Sequence, residues 1–280
     1  MGNKRAAGAN FLKAALLLFG FCGAAFGVGW AAGGYRIASL FAFAAALLAA
    51  SVWGYGDRFL LGMTGARELV LAEGPALHSN VERLAAKAGV AKPKLYLLPD
   101  GHPRAFAVGR GPASSSIAVS TGLLSALPPA ELDGVLAHEL GHVRSRDVLV
   151  QTAAVVIAAT LIELSRIGGW LERALLFLLG PIASAFVHGL LSPKRELAAD
   201  RFAARLCESP HGLADALVRL EQASELVSFA ASPATEPLYP YNPFAETGLA
   251  ALFVTHPPVG ERVAALRALD PGWPERLRAA

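Results

Sequence analysis

The sequence predicts an α+β fold: a mainly helical, membrane-integral chain whose soluble part carries a small β-sheet. Three observations lead there. Two apolar runs of nearly membrane-spanning length stand at the N-terminus, and two more interrupt the later chain. Between and after them, short strand-like stretches precede polar, helix-patterned segments. The composition agrees, since 54% of the 280 residues are hydrophobic and only 17% are charged, with a mean hydropathy of +0.44. Soluble domains are less apolar and more charged.

The first run is Phe11 to Ala32, broken only by Lys13, and the second is Ile37 to Trp53. Each approaches the roughly 20 residues that cross a bilayer as a helix. Only Gly33, Gly34, Tyr35 and Arg36 separate them, so the pair reads as a tight helical hairpin over residues 1–56. A cleaved signal peptide is the rival, because Lys4 and Arg5 precede the first run. That run is long for a signal core, lacks a small-x-small cleavage site and is followed at once by another. Lys4, Arg5 and Lys13 lie before the hairpin, Arg58 and Arg67 after it, and Arg36 alone in its turn. Positive charge collects on the cytoplasmic side, which puts both ends inside.

From residue 57 to 147 the chain reads as soluble. "HSNVERLAAKAGV" has helical spacing and a glycine stop. "KPKLYLLPD" reads as a strand ended by Pro-Asp-Gly, and "RAFAVG" with "SSSIAVSTGLL" as an antiparallel pair. "LPPAELDGVLAHELGHVRSRD" reads as one helix, with prolines in its first turn and Arg144 and Arg146 near its negative end. Residues 148–191 form an inserted hydrophobic segment. Its first run, Val148 to Leu161, is short, and its second, Ala174 to Leu191, is broken by Gly180-Pro181 and holds His188. Length alone leaves two readings open, a second membrane hairpin or buried helices. Basic residues flank the outer ends of the segment, and that bias favours the hairpin. Residues 192–280 return to soluble patterning and, with 57–147, form one domain.

Several classes fall away on composition. The net charge of +3 and pI near 9.0 come from scattered basic residues rather than a basic stripe interleaved with aromatics, so no nucleic-acid partner is expected. Cys22 and Cys207 stand far apart and imply no disulfide framework. His78, His102 and His211 have no motif context and read as surface residues, and His188 as a structural one.

The chemistry concentrates in "LAHELGHVRSRD". His138 and His142 are one helical turn apart on one face, which lets two imidazoles share one zinc ion at about 2.0–2.1 Å. Glu139 follows the first histidine and can approach an open coordination position. There it can take a proton from the attacking water and pass it to the leaving amine. A solvated helix with incidental histidines is the bland alternative, but histidine is scarce here, with 7 in the chain. A third ligand is needed. Ser145 and Val148 stand where the pattern H-E-x-x-H-x-x-G-x-x-H needs Gly and His, which excludes that class. "RELAAD" offers Glu196 as a ligand from a later helix, with Asp200 one turn on to hold a ligand histidine. Alone, Glu196 and Asp200 read as an ordinary charged helix surface. Beside H-E-x-x-H they read as part of a metal site. His256 in "THPPVGER" sits at a loop-to-helix junction, where it is either an oxyanion donor or a satisfied loop histidine. Arg262 is a further candidate that a surface salt bridge explains equally well.

Residues from about 90 to 265 resemble the HtpX-type membrane zinc metalloproteases of peptidase family M48. The resemblance rests on "LYLLPDGHPRAFAVGRGP", "IAVSTGLLSALPPAELDGVLAHELGHVRSRD", "SPKRELAAD" and "THPPVGERVAAL", and on the placement of the apolar runs. It implies a zincin-like (gluzincin) catalytic domain, one Zn2+ held by His138, His142 and Glu196, and Glu139 as general base. It also implies a multi-pass protein of the bacterial inner membrane, with a cytosolic active site, that degrades misfolded or damaged membrane proteins. One departure stands out. The family's usual Asn-Ala-Phe-Ala on the substrate-pairing strand is Arg104-Ala105-Phe106-Ala107 here. The backbone can still pair with an extended peptide, but an asparagine side-chain contact does not carry over to Arg104.

The expectation is therefore a membrane-bound zinc endopeptidase of polypeptide substrates. The alternative is a proteolytically silent membrane scaffold or chaperone with a structural zinc site. Such a site needs no adjacent base and is normally closed by four protein ligands.

Overall fold

The computed structural model describes residues 2–166, 193–225 and 256–270. Among the described residues, eight helices surround one four-stranded sheet. Helix α1 (Gly2–Met63) consists of two arms folded back at Gly33 and Gly34. Gly34, at φ 68° and ψ −160°, occupies a backbone region that only glycine enters without strain. The rings of Phe11 and Trp53 lie 5.6 Å apart although the whole hairpin lies between them in sequence. The arms touch backbone to backbone. A Cβ on Gly29 would stand 2.7 Å from the Ala38 Cα.

Helix α2 (Pro75–Ala88) opens with proline at its start and ends at Gly89 in the left-handed conformation. It buries Leu77, Val81, Leu84 and Ala88. Strands β1 (Arg67–Glu68), β2 (Lys94–Leu98), β3 (Ala105–Gly111) and β4 (Ser114–Ser120) follow the order β1-β2-β4-β3. β2 runs parallel to β4, and the other two pairings are antiparallel. The expected β3–β4 hairpin is present, with a bulge between Gly109 and Gly111. The two-residue β1 carries too little pattern to be anticipated.

Alternation along the strands divides the core in two. Leu95, Ala105, Ala107, Ile117 and Val119 pack with α2 and with helix α4 (Pro129–Ser145). Leu98, Phe106, Val108 and Ala118 face the other way, toward Val52, Leu60 and Leu61 of α1 and toward helix α5 (Asp147–Arg166). The short helix α3 (Thr121–Ala126) is capped by the Ser120 side chain, which accepts from the Leu123 N–H. Helices α6 (Pro193–Leu206), α7 (His211–Glu225) and α8 (Val259–Arg267) complete the described part.

Three sequence expectations are corrected. The helix read as continuous to Asp147 stops at Ser145, because Arg146 adopts φ 63° and the chain restarts as α5. His211 is buried rather than exposed, with Nε2 3.2 Å from Asp270. Arg262 is fully buried, which removes its reading as a surface ion pair. Of the inserted segment, α5 is buried from Val148 to Ala159. The run Ala174 to Leu191, with His188, and the Pro-rich stretch 232–244 lie outside the described residues.

Candidate metal centre

Two glycines fix the placement of α4. A Cβ on Gly134 would stand 2.6 Å from the Leu213 backbone, so α7 crosses at close range. A Cβ on Gly141 would meet Phe202 at 3.1 Å and the Ala199 Cα at 3.3 Å. The glycine between Leu140 and His142 therefore lets α6 lie directly against α4, and α6 carries Glu196 and Asp200.

That contact brings three groups together. His138, His142 and Glu196 are buried, and each offers an atom within 4.8 Å of the others. His138 Nε2 is 3.1 Å from His142 Nε2 and 3.4 Å from Glu196 Oε2. His142 Nε2 is 3.6 Å from Glu196 Oε1. Tetrahedral ligands about 2.0–2.1 Å from one zinc ion sit about 3.4 Å apart, so the three separations fit such an ion. Both Glu196 oxygens are buried and, among the described residues, neither accepts a well-aligned hydrogen bond, although Arg195 Nε approaches Oε1 at 3.2 Å. A buried carboxylate is costly without a compensating cation, and the donor set is one that zinc favours.

The charges follow from this crowding. Burial pushes the Glu196 carboxyl up, but the charges of His256, His142 and Arg195 hold it well below its ordinary value. Burial pushes His142 down, but Glu196 and Asp147 outweigh it and raise the ring to about 10. In the metal-free chain a proton therefore sits where a cation belongs, and metal binding must release it. Burial raises Glu139, opposed by the histidine charges. A carboxyl shifted toward neutrality is the better proton acceptor. Its Oε2 accepts from the Ala107 N–H at 2.8 Å, which ties it to β3.

The remaining candidates fall into place around the three. Asp200 Oδ1 lies 2.9 Å from His138 Nδ1, and Arg262 grips the same carboxylate through two bonds of 2.9 and 2.7 Å. Burial would raise Asp200, but Arg262 and His138 lower it to about 2. His256 is buried with Nε2 3.3 Å from Glu196 Oε2, yet it is not a member of the mutually close set. Arg104 precedes β3; its guanidinium lies 2.8 Å from Asp100, and its N–H donates to Ser120 Oγ. Ala105, Phe106 and Ala107 form the start of β3, which is an edge strand.

Two contributors were missed. Asp147 Oδ2 lies 3.3 Å from His142 Nδ1 and also accepts from Ser145 Oγ at 2.7 Å, so each ligand histidine has its own carboxylate. Its position five residues after His142 gave no signal while the helix was read as unbroken. Arg195 Nε lies 3.2 Å from Glu196 Oε1 and its guanidinium donates to Gln151. The adjacent charge in "KRELAAD" was the available hint.

A helix-borne H-E-x-x-H met by a glutamate from a later helix, with Glu139 beside an edge strand, is an arrangement suited to a metallopeptidase. Comparison with known proteins carries this to a family. The description "Peptidase family M48" matches residues 72–270. "Protease HtpX homolog" of Pelotomaculum thermopropionicum is 36% identical, over 93% of this chain and 99% of its own. The protein of the same name in Acidiphilium cryptum is 40% identical, over 92% and 96%. The solved structure of S. mikatae Ste24p is 18% identical with a TM-score of 0.48, over 95% of this chain and 66% of that one. The chain belongs to peptidase family M48.

Proposed function

We propose that this protein is a membrane-embedded zinc endopeptidase that cleaves polypeptides, above all misfolded or damaged membrane proteins. The observation that carries the reading is the buried His138–His142–Glu196 triangle with Glu139 fixed between it and β3. When bound there, zinc would polarise the scissile carbonyl and acidify a water molecule.

The chain's own residues supply the rest. Arg104 pairs with β4 through its backbone, accepting from the Ser120 N–H. By alternation, Ala105 and Ala107 direct their backbone groups to the outer edge. Glu139 already holds the Ala107 N–H. An extended peptide would add to this edge by main-chain hydrogen bonds, which are indifferent to side-chain identity. That breadth suits a protease of damaged proteins. Glu139 takes the proton from the attacking water and delivers it to the departing amide nitrogen. Asp200 and Asp147 hold the imidazole rings in orientation, and Arg262 holds Asp200. His256 donates to the oxygen that gains charge as the carbonyl is attacked. A silent scaffold would have no use for Glu139 in this position.

The helix Phe11–Met63 is long and apolar enough to cross a bilayer, and with its fold at Gly34 it would cross twice. Charge placement supports a multi-pass protein of the bacterial inner membrane with both termini and the site in the cytosol. Residues 1–56 would be the anchoring hairpin, 57–147 with 192–280 the protease domain, and 148–191 a second hairpin. The test is zinc quantitation together with cleavage of casein and of a destabilised membrane protein. Chelation is expected to stop cleavage, and one equivalent of zinc to restore it. Undiminished cleavage by the zinc-free protein would sink the reading.

A further inference from the structure

At the foot of the second arm of α1 lies a cavity of about 330 Å3, between that arm and the sheet. Gly54, Asp57, Arg58 and Leu61 form its hairpin wall. Four cations line it, Arg58, Lys92, Lys94 and Arg110, against the single carboxylate of Asp57. Lys92 is paired with Glu82 at 2.8 Å, and Lys94 is 4.0 Å from Glu68. Among the described residues, neither Arg58 nor Arg110 has a carboxylate within ion-pairing distance. The Arg58 guanidinium lies instead over the Tyr55 ring. The opposite wall carries Ser114, Ser115 and Ser116. By strand alternation Ser114 and Ser116 share the face of Ala118, toward α1, whereas Ser115 shares the opposite face with Ile117.

A cavity lined by two arginines, two lysines and the hydroxyl-bearing Ser114 and Ser116 suits a tetrahedral oxyanion. Arginine binds phosphate through paired hydrogen bonds, and a serine hydroxyl can donate a further one. The position of the cavity selects among phosphates. Trp53 and Tyr55 stand just before it on the arm, where the apolar run gives way to charge, and such aromatics mark the membrane–water boundary. Tyr55, Phe59 and Met63 of the same arm are 62%, 51% and 42% exposed and give it an apolar outer face. We propose that this cavity holds the phosphate of an anionic phospholipid headgroup, with the acyl chains lying along α1. The proposal rests on the reading that α1 spans a bilayer and is independent of the proteolytic reading.

The experiment uses the zinc-loaded full chain in neutral detergent. It is titrated with dimyristoyl-phosphatidylglycerol, dimyristoyl-phosphatidylcholine or inorganic phosphate. Native mass spectrometry counts bound lipid, and the unfolding midpoint reports apparent affinity. Phosphatidylglycerol is expected to bind about tenfold or more tightly than phosphatidylcholine, and inorganic phosphate not to displace it. Arg58→Ala/Arg110→Ala is expected to weaken phosphatidylglycerol by about tenfold or more with zinc content unchanged, and Arg58→Lys/Arg110→Lys to retain part of the preference. Equal binding of the two lipids, or wild-type affinity in the alanine variant, overturns the site. Displacement by inorganic phosphate at matching affinity overturns the lipid assignment. Failure of the wild-type chain to float with phosphatidylcholine vesicles overturns the membrane reading and the lipid assignment with it, while leaving cleavage unaffected.

Discussion

In the N-terminal hairpin many large apolar side chains face outward and most buried positions are small, whereas around α4 and α6 charged side chains face inward. Phe19 is 77% exposed and Leu16 and Phe43 are each 62% exposed, while Ala14, Ala38 and Ala45 are buried. At the site His138, Glu139, His142, Glu196, Asp200 and Arg262 are all buried. Each arrangement would be unfavourable for a chain folded in water alone. The first becomes favourable when hydrocarbon replaces water around the arms, since packing of small residues then drives their association. The second becomes favourable when a cation compensates the carboxylates. Each region therefore has the pattern that the proposed function requires, an apolar outer face suited to a bilayer in one case and a buried imidazole–carboxylate cluster suited to a metal ion in the other.

The largest effects come from breaking the second inversion. Glu196→Ala is expected to lose most bound zinc and all cleavage, because two imidazoles alone make a weak site. Zinc content after gel filtration checks it, and a full equivalent with unchanged affinity would reassign the third ligand. Glu139→Gln leaves the ligand set intact. It is expected to keep its zinc and lose about 10²–10⁴ in kcat. The two variants together separate holding the ion from using it.

A smaller effect is expected at His256. A donor oriented toward developing oxyanion charge contributes about 10²–10³ in rate. His256→Ala should lower kcat by that order with KM and zinc content little changed. The 3.3 Å approach to Glu196 supplies the competing outcome. If the variant releases zinc, His256 serves the metal through Glu196, and the oxyanion must find another donor.

The next expectation concerns acid. Arg262 and His138 hold Asp200 at about 2, below its ordinary 3.8. Its native form therefore binds fewer protons than its unfolded form, which stabilises the fold above about pH 4. That contribution, about 2 kcal/mol, is lost as pH falls from about 4 toward 2. Glu196 is depressed in the same direction. His142 has the opposite sign, since its stabilising proton is lost as pH rises toward about 10. Thermal unfolding of metal-free Asp200→Asn should show a shallower acid decline than wild type. An identical profile would mean that Asp200 is not the group being titrated.

Much of this was legible in the sequence because it is local. One helical turn places His138 with His142, and period-two alternation identifies β2, β3 and β4. Glu196 stands out only beside H-E-x-x-H, since its charged neighbours read as an ordinary helix surface, and the two glycines at 33 and 34 marked the fold of the hairpin. The misses share a different cause. Asp147 reaches His142 only because Arg146, an ordinary residue, turns left-handed, and no glycine announces it. Arg262 is buried because a carboxylate from α6 meets it. His211 is buried beside Asp270, far along the chain. The sheet edge that faces Glu139 depends on strand order, which alternation does not encode. Partners brought together by tertiary packing leave no periodic trace.

The smallest expected effect tests the hairpin at its turn. Gly34 has φ 68° and ψ −160°, and nothing lies within 4 Å of where its Cβ would be. Substitution by alanine therefore introduces no clash and probes backbone strain alone. A non-glycine residue in this region costs about 1–3 kcal/mol. Gly29 differs, because its Cβ would strike the Ala38 backbone and force the arms apart. Gly34→Ala is expected to lower the unfolding midpoint in detergent modestly, and Gly29→Leu to lower it further. Both should leave zinc content and cleavage per folded molecule unchanged, since neither residue touches the site. If Gly34→Ala were as stable as wild type, the arms would not require this turn. If either substitution reduced cleavage per bound zinc, the hairpin would act on the site as well as anchor it, and the two regions would no longer be separable.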